Sequence, residues 1–79
     1  MDVRILVIDD QESHAKATAE SLERAGYKCV VATGAREGLR VLENDQVDVV
    51  VTDLVMPEMD GVAFVRQAKR TTPDVEVVV

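Results

Sequence analysis

The sequence predicts an α/β protein with a parallel sheet and helices on both of its faces. Four short apolar runs, residues 3–8, 28–32, 47–52 and 75–79, alternate with three helix-like segments. The runs are rich in Val and Ile and mostly continuous, as strands read when both faces are covered. A βαβαβαβ alternation also requires crossovers, which are right-handed and place helices on the sheet's faces.

The first helix is expected over residues 12–25, with His14, Thr18, Ser21, Leu22 and Ala25 on one face. Gly26 follows as its stop, and Tyr27 is placed to pack back on the helix. The second spans 35–44, with Ala35, Leu39 and Leu42 as its buried stripe and Thr33-Gly34 as turn and cap. The third, over 62–70, buries Phe64, Val65 and Ala68. Asp60 caps its start, and Arg66, Lys69 and Arg70 suit the negative end of its dipole. Pro73 marks the exit toward the fourth strand.

Seventy-nine residues allow one domain and a small core. With only Tyr27 and Phe64 as aromatics, that core is aliphatic. Fifteen acidic against nine basic side chains give a net charge of −6, with no basic stripe to displace counterions from nucleic acid. The single cysteine, Cys29, has no internal partner, which fits a reducing compartment. No apolar stretch reaches the roughly 18–20 residues that span a bilayer. The N-terminus passes straight into a strand without a signal pattern. The expected location is the cytoplasm.

Three aspartates fall where strands are expected to end: Asp9 and Asp10 after the first, Asp53 after the third. In an open parallel sheet, ligands bind outside the carboxyl ends of the strands, where strand order reverses. If the first strand is central, that point lies between strands one and three. Clustered carboxylates repel unless a cation or proton sits among them. Oxygen-only donors favour Mg²⁺, Mn²⁺ or Ca²⁺. A carboxylate beside such an ion can attack phosphorus, and Asp53, alone at its strand end before an open loop, is the better nucleophile. A turn or cap role would explain each aspartate singly but not the matched set.

The strings Ile5-Leu6-Val7-Ile8-Asp9-Asp10 and Thr52-Asp53-Leu54-Val55-Met56-Pro57-Glu58-Met59-Asp60-Gly61, with Ala25-Gly26-Tyr27 between them, resemble response-regulator receiver domains of two-component signalling. The resemblance runs from Val3 to Val79, and the ordered set of motifs is far more specific than any one of them. It implies the flavodoxin-like (CheY-like) three-layer fold with strand order 2-1-3-4. It implies that Asp53 accepts a phosphoryl group from a sensor histidine kinase. It also implies that Mg²⁺ is held by Asp10, Asp53 and the backbone carbonyl of Val55, with Asp9 acting mainly through water. The wording from Thr52 to Pro57 further resembles receivers of NtrC-type transcriptional regulators.

The same family places a Ser or Thr just after its fourth strand and a Lys at the end of a fifth, followed by the output domain. On that pattern residues 1–79 are an incomplete receiver that lacks the last strand and two helices, with its output outside the chain. Residues 75–79 then form an uncovered edge strand, open to self-association. Two other readings compete. A phosphatase using an aspartyl-phosphate intermediate often has a general-acid aspartate two residues after the nucleophile, where this chain has Val55. A degenerate receiver would bind a partner without phosphorylation. His14 and Cys29 are explained by surface and core packing respectively.

Overall fold

The computed structural model describes residues 2–53 and 59–79. Its elements run β1 (Arg4–Ile8), α1 (Glu12–Arg24), β2 (Lys28–Ala32), α2 (Ala35–Asn44), β3 (Val49–Thr52), α3 (Gly61–Thr71) and β4 (Glu76–Val78). The strands form one parallel sheet in the order β2-β1-β3-β4. This is the expected order, and β1 is central. No helix among the described residues is long and apolar enough to cross a membrane.

The two faces of the sheet carry unequal layers. On one side Leu6 and Ile8 of β1 and Val50 of β3 pack with Ala35 and Leu42 of α2, Phe64 and Ala68 of α3, and Val75. On the other, Ile5 and Val7 pack with Ala15 and Ala19 of α1. Because α1 lies over β2 and β1, the residues of β3 on that side, Val49 and Val51, stay half-buried. Continuous burial therefore holds for β1 from Ile5 to Ile8, while β3 alternates. The uniform two-sided cover expected from the Val-rich runs applies to the central strand alone.

Helix α1 also differs from expectation in the face it buries. His14, Thr18, Ser21 and Ala25 are exposed, and the sheet-facing stripe is Ala15, Ala19 and Leu22. The physical reason is size: two alanines a turn apart let the helix backbone settle close to β1, which bulkier residues would prevent. Its end follows the sequence closely. Gly26 takes φ +100°, its N–H donates to Glu23 O at 3.0 Å, and Tyr27 N–H donates to Leu22 O at 3.2 Å. That double bond satisfies two of the helix's last carbonyls. Tyr27 packs back through its backbone N–H, and the residue is 40% exposed.

Helices α2 and α3 bury the expected stripes, with one addition. Gly38, on the second turn of α2, sits against β1 so closely that a Cβ there would overlap Ile8 Cδ1 and lie 3.1 Å from Cγ1. Glycine inside a helix costs about 1 kcal/mol relative to alanine, yet overpacking a core costs about 1–3 kcal/mol. Gly38→Ala is therefore expected to lower stability by about 1 kcal/mol net. Urea unfolding checks this: an unchanged or raised midpoint would mean that Ile8 yields to the methyl group.

Candidate acidic site at the carboxyl end of the sheet

The pairing of β1 with β3 places the predicted aspartates. Their register ends on Ile8↔Thr52, so Asp9 and Asp53 are the next residues on two adjacent strands. Neighbouring strands lie about 4.8 Å apart, which makes these two positions neighbours at the sheet's carboxyl edge. The position coincides with the reversal of strand order, since the chain goes from β1 outward to β2 and then crosses to β3 on the far side. Asp10 follows in the bend that leads into α1 and is exposed, as is Asp53. Val55, expected to offer its carbonyl, lies outside the described residues.

Local hydrogen bonds show how each residue is held. Asp9 N–H still donates across the sheet to Ala32 O at 3.2 Å, so the residue is anchored as the last rung of β1–β2 pairing. Its Oδ1 accepts the Gln11 N–H at 2.9 Å, turning the chain into α1. Its Oδ2 stands 4.0 Å from Nδ1 of His14. Before Asp53, Thr52 is buried, and its hydroxyl donates to Asp53 O at 3.1 Å. Asp60 caps α3 by accepting the Val62 N–H at 2.9 Å, as expected. The Glu37 carboxylate accepts from both the N–H and the hydroxyl of Thr33, at 3.3 and 3.2 Å. Sequence reasoning missed the roles of Gln11 and Glu37. Gln11 acts through its backbone, which no side-chain pattern betrays; Glu37, third in its helix, was legible as a capping residue.

The three carboxylates share one end of one strand pair. Among the described residues no three Asp, Glu, His or Cys side chains stand close enough to hold a metal ion. Asp9 is turned toward α1 by the Gln11 N–H. The donor set itself is all carboxylate oxygen, the chemistry of a hard divalent ion. Away from this end, the half-buried Cys29 thiol is pushed up by burial and then by the Glu23 carboxylate, which keeps it protonated and unreactive.

The fold agrees with comparison to known proteins. Residues 5–79 match the response regulator receiver domain family. The response regulator MprA of Mycolicibacterium vanbaalenii is 38% identical over 79 residues, covering all of this chain and 34% of that protein. A CheY-like receiver domain protein from Methanospirillum hungatei superposes with a TM-score of 0.92 at 30% identity, over 98% of this chain and 62% of that one. The response regulator TrrA of Thermotoga maritima, solved in complex with Mg²⁺ and BeF, gives 0.87 at 27% identity, over 95% and 65%. The chain thus spans about a third of the curated relative's length and under two thirds of these receiver structures. It belongs to the response regulator receiver domain family of two-component systems.

Proposed function

We propose that this chain is a phosphoacceptor receiver module that takes a phosphoryl group from a sensor histidine kinase onto Asp53. The observation that carries the reading is the β1–β3 register, which brings Asp53 beside Asp9 at the switch point of a receiver fold. An Asp53 carboxylate oxygen attacks phosphorus. The P–N bond of the donor phosphohistidine breaks, its electron pair stays on the imidazole nitrogen, and that nitrogen ends protonated. A divalent ion such as Mg²⁺ supplies neutralisation of the phosphoryl oxygens when bound. Asp10, Asp53 and the Val55 carbonyl are the residues to hold it, with Asp9 contributing through water. The chain's own part is positioning: Thr52 fixes the Asp53 backbone, and the Asp60 cap anchors the start of α3. The reading places the module in the cytoplasm and its output outside these residues, with no direct contact to nucleic acid.

A second reading, an interaction module that works without phosphorylation, draws on Asp9, whose carboxylate is engaged by the Gln11 N–H in the turn into α1. Mg²⁺ titration followed by NMR separates the two. Saturable shifts at Asp10 and Asp53 support the phosphoacceptor; a spectrum that Mg²⁺ leaves unmoved supports the interaction module.

The proposed partners include a second copy of the chain. Strand β4 is an edge of the sheet, with Val78 51% and Val79 70% exposed. Unpaired, apolar edges pair readily, and a charge on the edge blocks this. Sedimentation of the 79-residue chain is expected to show concentration-dependent association, which Val78→Lys shifts toward monomer. A wild-type chain that stays monomeric across the accessible concentration range refutes the pairing.

A further inference from the structure

We infer that Lys69 sets the register in which β4 pairs with a second copy of the chain, by closing the Val75 carbonyl and leaving Val77 and Val79 as the rungs. This rests on the proposed edge pairing of β4. The directions of the backbone groups follow from the parallel ladder. Glu76 N–H donates to Asp48 O at 3.1 Å, so Glu76 faces β3. Successive residues of a strand turn their N–H and C=O groups to alternate sides. Val78 therefore also faces β3, while Val77 and Val79 turn theirs to the open edge. Because β4 is last in the strand order, no strand among the described residues stands on that side.

Val75 would be the next rung, but both of its backbone groups are engaged. The peptide bond to Glu76 is planar and trans, so Val75 C=O points opposite to Glu76 N–H, out to the edge. There it accepts a bond from Nζ of Lys69, which reaches it from the last turn of α3. The Val75 N–H turns back to Thr72 O at 3.1 Å. An incoming strand therefore meets an ammonium at this carbonyl, and lysines at sheet edges oppose strand addition. Two identical edges close as a dimer when the strands run antiparallel about a two-fold axis. An axis at Val78 sets Val77 against the partner's Val79 and Val79 against the partner's Val77. Every outward group is then used, and Val75 is not needed. An axis at Val77 sets Val79 against the partner's Val75, where Lys69 stands. Lys69 thus selects the first register. That register also brings the two Val78 side chains, half-exposed in the single chain, directly together.

Disulfide formation reads the register, in the 79-residue chain with Cys29, its one cysteine, replaced by alanine. With the axis at Val78, the two Val78 Cα atoms stand ~4.5 Å apart and the two Val77 Cα atoms ~7–8 Å apart, on opposite sides of the limit for a bridge. Val78→Cys should therefore oxidise to a covalent dimer about tenfold faster than Val77→Cys. The Val77 side chain packs on the α2–α3 layer, so the change in this ratio with Lys69 carries the test. Lys69 is exposed, and its replacement leaves the core intact. Lys69→Met and Lys69→Gln free the Val75 carbonyl and are expected to cut the ratio to about threefold or less. Lys69→Arg keeps a charged donor and should preserve it. An unchanged ratio in both neutral variants, with the dimer still forming, overturns the Lys69 role and leaves the edge pairing standing. Faster bridging through Val77→Cys while Lys69 is present overturns the register. A chain that sediments as a monomer and bridges through neither cysteine removes the edge pairing, and this inference with it.

Discussion

Asp53→Asn is expected to abolish covalent labelling of the chain by a small acyl-phosphate donor in the presence of Mg²⁺, the largest functional effect the structure predicts. The substitution is nearly isosteric and sits at an exposed position just past β3, so the strand pairing that ends at Thr52 is retained. What changes is chemistry. An amide oxygen is a poor nucleophile toward phosphorus, and the lost charge also weakens any cation held beside it. Mass spectrometry of the intact protein reads the gain of one phosphoryl group, and hydroxylamine sensitivity together with lability in alkali, where a phosphoimidazole survives, identifies it as an acyl phosphate. His14→Ala run in parallel should keep the label, since the imidazole faces Asp9 from α1 and does not lie on the strand that carries the acceptor. Persistent, hydroxylamine-sensitive labelling of Asp53→Asn would move the acceptor to another carboxylate, with Asp9 and Asp10 next to be replaced.

Much of this arrangement is legible in the sequence, because it depends on strand ends and helix starts. Valine-rich runs set the strands, and the aspartates directly after the first and third run mark the switch point once β1 is central. Asp60 as a cap and Gly26 as a helix stop follow from local backbone chemistry that neighbouring elements do not alter. What remained hidden depends on how layers meet. The sheet-facing stripe of α1 is carried by Ala15 and Ala19, whose small apolar signal is no stronger than that of Thr18 or Ala25 until the closeness of the helix to β1 is known. Alternation in β3 likewise arises because α1 stops short of Val49 and Val51, a fact of three-dimensional cover that a run of valines cannot express. At the site, the turn that occupies Asp9 runs through the backbone of Gln11, and a backbone donor leaves no trace in residue type.

Phe64→Ala is expected to cost about 3–5 kcal/mol, the largest stability effect of any single truncation in this chain. Phe64 is fully buried and is the largest of the fully buried side chains. It projects from α3 into the layer that also holds Leu6, Ile8, Val50 and Val75, so it joins one helix to the core of β1 and β3. No other aromatic shares that load, because Tyr27 is 40% exposed. Domains typically hold about 0.05–0.15 kcal/mol of stability per residue, or about 4–12 kcal/mol for a chain of this length. Losing Phe64 thus removes between a quarter and all of the total, and the folded state should be largely depopulated at the low end. The expected observation is a fall in the urea midpoint with loss of the cooperative transition in circular dichroism. The opposite layer supplies the control: Val49→Ala, at a half-buried position on the margin of the α1 layer, should cost about 1 kcal/mol or less, below the range for fully buried side chains. A Phe64→Ala loss no larger than that of Val49→Ala would show that the α2–α3 layer does not dominate the core.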